Sequence, residues 1–108
     1  MEQFKISKLR SSSQEYKEFV RTPDISAGVY RPAAGAEDKQ TPHTEDEIYY
    51  VVSGHGRLGA AGRDTDVSPV DILFVPRMEP HQFHDIDEDL VLLVVFGPAG
   101  GSLSAPAD

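Results

Sequence analysis

Pro42-His43-Thr44-Glu45-Asp46-Glu47-Ile48-Tyr49-Tyr50-Val51-Val52-Ser53-Gly54 decides how this chain reads. A histidine and a carboxylate stand four residues apart, just ahead of an apolar, β-prone run that stops at a glycine. A second stretch, Pro76-Arg77-Met78-Glu79-Pro80-His81-Gln82-Phe83, carries another histidine. Two imidazoles and one carboxylate suit a borderline divalent metal and leave coordination positions open. Whether the two stretches meet depends on the fold.

Outward from these stretches the chain is punctuated at short intervals. Phe4, Ile6 and Leu9 suggest a first strand. Ser12 and Glu15 fit a capping box, with Tyr16, Phe19 and Val20 on one helical face, which predicts a short helix ending before Pro23. The amino-terminal strand and helix together occupy 4–21. Ile25 to Tyr30 favours a strand, and 35–42 reads as a polar loop. Glu47 to Ser53 is a strong strand, and Gly54-His55-Gly56 a tight turn. Further strands are expected at 57–60, 65–68, 71–75 (buried), 81–86 and 90–96. Turns are expected at 61–64 and at Asp87-Glu88-Asp89. Leu90 to Phe96 is the most apolar run and predicts core. The pattern predicts an all-β fold of seven to nine strands, an antiparallel barrel or jelly roll with one short N-terminal helix. Composition alone does not separate it from an immunoglobulin-like sandwich. Residues 1–97 read as a single domain, with the barrel at about 25–96, and 98–108 as a flexible tail.

Composition bounds the function. At 108 residues and 39% hydrophobic, the chain supports one modest core, and so small a core predicts a homodimer. A net charge of −8 with scattered basic residues argues against nucleic-acid and anionic-membrane partners. No cysteine is present, which excludes disulfides and thiol nucleophiles. Met1 to Arg10 lacks a long apolar segment, so the cytoplasm is the default compartment.

The spacing of these residues resembles the cupin superfamily. Its first motif reads Gly, five residues, His-x-His, three or four residues, Glu, six residues, Gly. Gly35, His43, Glu47 and Gly54 fall on those places, with Thr41 where the first histidine belongs. Its second motif reads Gly, five residues, Pro-x-Gly-x-x-His, three residues, Asn. Pro76, His81 and Asp85 match it, while Val70 and Met78 stand at the two glycine places. The resemblance covers 28–96 and implies a barrel with a metal held by His43, Glu47 and His81. The ion would be zinc, iron, manganese or nickel, with copper also compatible.

The same resemblance implies a small oxygen-rich substrate and dioxygenase or isomerase chemistry. A non-catalytic barrel binding a metal or small molecule is the alternative, and a relic site in a structural partner is a third reading. Strand alternation puts Tyr49 on the face of Glu47, where it would be a proton donor, and puts Phe83 and Asp85 on the face of His81. Arg31, at a strand end, would be an anchor for a substrate anion. Gln40 and Thr41 would reach the ion only as weak neutral ligands. His55 and His84 read as surface residues, Glu45 as a charged turn residue with replacement of the missing ligand as the alternative, and Asp38, Asp46 and the Asp85-to-Asp89 run as solvated charge.

Overall fold

The run from Glu47 alternates strictly: Glu47, Tyr49 and Val51 are buried, and Ile48 is exposed. That alternation is the signature of a strand with one face on a core, and the rest of the molecule is built around it. In the computed structural model, which describes residues 1–103, helix α1 spans Ile6–Leu9. Six strands follow: β1 Tyr16–Arg21, β2 Ser26–Tyr30, β3 Asp46–Ala60, β4 Arg63–Val67, β5 Ile72–Val75 and β6 His81–Gly97. All pairings are antiparallel, in the order β1-β2-β6-β3-β4, with β5 also on β3. Tyr49, Val51, Leu58, Val67, Val75, Phe83, Leu90, Leu92 and Val94 form the core. The predicted all-β class with a short N-terminal helix is what the chain adopts.

Fewer strands are present than the seven to nine expected, because two turns do not exist. Gly54 (φ 96°) lies inside β3, and Asp87-Glu88-Asp89 lies inside β6. The β3–β6 pairing shifts register between Val51 and Arg57 but continues from Asp46↔Gly97 to Ala60↔His81. These are bulges, which bend a strand without ending it. At Gly54 only glycine fits: a Cβ there would meet the carbonyl oxygen of Asp89 at 2.1 Å. A second bend at Asp85 (φ 48°) reverses the parity of β6. Asp85 is therefore exposed, not interior as alternation predicted, and Ile86 turns inward.

Gly35, Gly54, Val70, Met78 and Asp85, at the glycine and asparagine places of the two motifs, all have positive φ, at 76°, 96°, 67°, 64° and 48°. The backbone keeps the shape that glycine favours even where valine and methionine stand.

The amino terminus is reversed from expectation. The predicted strand at Phe4–Leu9 is the single helical turn α1, and the predicted helix over Ser12–Val20 is largely strand β1. Ser12 accepts a bond from the Gln14 amide at 3.2 Å, a local turn in place of a helix cap. Tyr16, Phe19 and Val20 are as β-prone as they are amphipathic, and pairing with β2 (Tyr16↔Tyr30) decides between the two. Phe4 packs on Phe19, ring centroids 4.9 Å apart, which docks α1 against β1.

β5 was expected to be buried, yet Ile72 and Phe74 are exposed, because this strand pairs only with β3 and one of its faces points outward. Of the predicted tail 98–108, residues 104–108 lie outside the described residues. Residues 98–103 are tied down: Ala99 is buried, Gly100 N–H donates to Ser26 Oγ (2.8 Å), and Gly101 and Leu103 N–H donate to Glu45.

Candidate metal centre

The fold carries Glu47, at the start of β3, to the start of β6, where His81 stands. Glu47 pairs with Phe96 of β6 and Val75 of β5, so its side chain enters the barrel and is buried. His43 arrives from the loop before β3. Its carbonyl accepts the Met78 N–H at 2.7 Å, and its ring stands edge-on to Phe96 at 4.9 Å. The second motif's turn thus holds the first motif's histidine.

His81 Nε2 lies 3.3 Å and His43 Nε2 3.7 Å from Glu47 Oε1. One ligand atom from each of the three residues lies within 4.8 Å of the others. Donors bound to one ion at about 2.1 Å are about 3.0 Å apart along an octahedral edge and about 3.4 Å along a tetrahedral one, so these separations are of ligand-shell size. Glu47 Oε1 is buried and receives no hydrogen bond. A buried carboxylate oxygen left bare is costly, and a cation between it and the imidazoles would satisfy it. His81 Nδ1 donates to the Glu79 carbonyl at 3.0 Å, so in the neutral ring the lone pair sits on Nε2, the nitrogen that faces Glu47. These residues fit a divalent ion and could hold one.

Tyr49 OH lies 3.1 Å from His81 Nε2 and is fully buried. Burial, and then the Glu47 charge, push its pKa far above the ordinary tyrosine value. It keeps its proton and serves as a hydrogen-bond donor. For His81, burial acts to lower the pKa, but Glu47 and the Glu79 carbonyl outweigh it and the net shift is upward.

A cavity of about 630 Å³ opens above the cluster. Its floor includes His43, Glu47, Tyr49 and Gln40, its walls Tyr30, Val94 and Phe96, and its mouth Tyr16, Lys17 and Arg21 of β1 with Gly100 and Gly101. Tyr49, on the Glu47 face of β3, lines it. Phe83 does not; it packs under Tyr49, rings perpendicular at 5.0 Å, as core. Arg31 does not reach the cavity either. Its guanidinium donates to the carbonyls of Ser12 and Gln14 (2.8 Å) and straps the N-terminal segment to β2. It sits instead on a separate surface depression with Arg10, Glu15 and Asp89.

Two acidic residues read as solvated or turn charge are buried. Asp38 accepts from Tyr30 OH (3.1 Å), Gln40 N–H (3.1 Å), Gln40 Nε2 (3.0 Å) and Phe83 N–H (2.9 Å). Glu45 accepts from the Thr44 hydroxyl, Gly101 N–H (2.6 Å) and Leu103 N–H (2.9 Å). Burial opposes the Glu45 charge, but these donors outweigh it and hold its pKa low. No local pattern marks either residue, since both sit in polar stretches; only their distant partners bury them. Asp46 is partly exposed and hydrogen-bonds the Arg77 N–H at 2.9 Å. His84 bridges Asp64 and Asp85, and His55 bridges Asp66 and Asp87, both away from the cavity, as surface residues.

The cupin domain family model matches residues 28–96, the span from β2 to the end of β6 that carries both motifs. The chain belongs to the cupin family. An uncharacterized protein of Streptomyces coelicolor is 37% identical over 102 residues, covering 91% of this cupin and 97% of the relative. The acireductone dioxygenase of Bacillus thuringiensis is 33% identical over 61 residues, 52% of this chain; the match spans only 36% of that enzyme. Among solved structures, KdgF from Halomonas sp. superposes with a TM-score of 0.70 at 27% identity, over 77% of this chain and 76% of that one.

Proposed function

We propose that this cupin is a metal-dependent enzyme of the dioxygenase class acting on a small oxygen-rich molecule, with His43, Glu47 and His81 as metal ligands. The observation that carries this reading is the bare, buried Glu47 Oε1 between two imidazoles at the floor of an open cavity. The match to acireductone dioxygenases, though partial, supports dioxygenase over isomerase chemistry. A bound divalent ion would act as a Lewis acid on a substrate oxygen and, if redox-active, pass electrons between substrate and dioxygen. The chain's own contribution is confinement and hydrogen bonding. The cavity takes a small molecule. Tyr49, held protonated, donates toward negative charge developing on the substrate oxygen. Val94 and Phe96 supply an apolar wall.

The test is metal content and affinity of wild type beside His43→Ala and His81→Ala, followed by oxygen uptake of the iron-loaded protein with diketones, enediols and phenols. Wild type should hold about one ion per chain and the variants much less. Equal metal in all three would end the reading; metal without oxygen uptake on any substrate would favour a binding module.

We also propose that two copies pair through the outward face of β3 and β5. Ile48 and Phe74 are cross-strand partners there, as are Tyr50 and Ile72, and Ile48, Ile72 and Phe74 are exposed. Adjacent exposed apolar side chains on one sheet face are the kind of surface that pairing of two copies covers. Light scattering should give the mass of two chains, and of one chain for Phe74→Glu; a monomeric wild type refutes it.

A further inference from the structure

The motif place for the first histidine holds Thr41, and Thr41 is exposed and does not line the cavity. Its neighbour Gln40 turns inward instead. Gln40 Oε1 lies 2.9 Å from His43 Nε2 and belongs to the cavity floor. We infer that Gln40 is a further metal ligand of this site through its amide oxygen, aimed by the buried carboxylate of Asp38. This inference rests on the metal reading of His43, Glu47 and His81.

The orientation of the Gln40 amide follows from chemistry. Its nitrogen donates to Asp38 Oδ2 at 3.0 Å, and its backbone N–H to Asp38 Oδ1 at 3.1 Å. Every other side-chain contact of Asp38 is also a donor, Tyr30 OH and Phe83 N–H, so both carboxyl oxygens act as acceptors. Only the NH2 end of the amide can face it, so the carbonyl end must face His43. Asp38 is itself pinned: it is 4% exposed, and its backbone carbonyl accepts from Gln82 Nε2 at 2.9 Å. The oxygen is therefore presented on a rigid support.

Without metal, His43 Nε2–H donates to this oxygen. With metal on Nε2, that proton is gone and the ring can no longer donate. Gln40 Oε1 would then lose its donor and keep a free lone pair 2.9 Å from the liganding nitrogen, available to the same ion. The separation is that of neighbouring ligands on one octahedral ion, about 3.0 Å. A neutral oxygen replaces the imidazole that Thr41 cannot supply, and it shifts the set toward oxygen-preferring ions such as manganese(II) and iron(II).

The experiment measures zinc(II) and manganese(II) dissociation constants by competition with a chromogenic chelator, and the visible absorption of the cobalt(II)-loaded protein. Wild type, Gln40→Ala, Thr41→Ala and His43→Ala are compared, with apo-protein melting as the check on folding. Gln40→Ala should weaken both ions by about 10–100-fold, the scale on which perturbing a metal site's supporting shell acts, and should change the cobalt band. Thr41→Ala should stay within about twofold of wild type. If Gln40→Ala fails to fold, Gln40→Met, which keeps the length and removes the oxygen, carries the same expectation. Wild-type affinity and an unchanged band in the Gln40 variant, with binding lost in His43→Ala, overturn the assignment of Gln40 alone. If His43→Ala binds like wild type, the three-residue site and Gln40 fall together.

Discussion

Val70 is a β-branched residue at φ 67°, in the left-handed region that L-residues avoid. Its N–H donates to the Val51 carbonyl at 2.8 Å, and its side chain is 70% exposed. Val70→Gly keeps that backbone bond and removes the steric cost, about 2–3 kcal/mol for a β-branched side chain at the upper end of the range for strained residues. Against this stand about 0.5–1 kcal/mol of added unfolded-chain entropy and about 0.5 kcal/mol for the third of the side chain that is covered. The balance is a stabilisation of about 1 kcal/mol, or about 4–8 °C in Tm for a chain of this size. Val70→Ala, which keeps a Cβ, should recover less. Met78 (φ 64°) is unbranched and 58% exposed. Its smaller strain and larger loss of cover nearly cancel, so Met78→Gly should move Tm little. Calorimetry and urea unfolding of the four proteins read the ranking. A lower Tm for Val70→Gly than for wild type would refute the claim that this backbone strains its side chain.

Gly54→Ala should cost more than about 3 kcal/mol, since the new Cβ would lie 2.1 Å from the Asp89 carbonyl oxygen at a φ of 96°; urea unfolding measures it, and a loss under about 1 kcal/mol refutes the close approach. The hydrogen bonds that the His55 ring donates to Asp87 and Asp66 raise its pKa above 6.5. The folded state then binds the proton more tightly than the unfolded chain. This increment is full below pH 6.5 and is lost as pH rises through the folded value. His55→Gln should flatten that part of the stability–pH profile. Glu45 has the opposite sign: its lowered pKa stabilises above about 4.5 and the contribution fades as pH falls. Glu45→Ala should free residues 100–103 from the cavity mouth, read as faster proteolysis in that segment; unchanged cleavage contradicts the anchoring role.

Much of the fold was legible because its signals are local. Alternation from Glu47 to Val51 states which side chains face inward, and motif spacing brings His43, Glu47 and His81 to one place. The five motif positions for glycine and asparagine mark backbone shape, and that shape survives at Val70 and Met78 without the glycine. The errors have a common cause. Tyr16-to-Val20 suits either a helix or a strand until β2 offers its edge. Gly54 and Asp87-Glu88-Asp89 resemble turns in isolation, yet β3 and β6 pair straight through them.

The chain's own residues determined an antiparallel barrel of the cupin family and singled out His43, Glu47 and His81, which the fold brings together, because periodicity and spacing are properties of neighbours along the chain. Tertiary structure alone decided that Arg31 is a strap, that Asp38 and Glu45 are buried, and that Gln40 faces the site while Thr41 faces away. Those outcomes depend on partners distant in sequence, Phe83 for Asp38 and Gly101 for Glu45, and a buried charge is recognised only when the donors that satisfy it are in view.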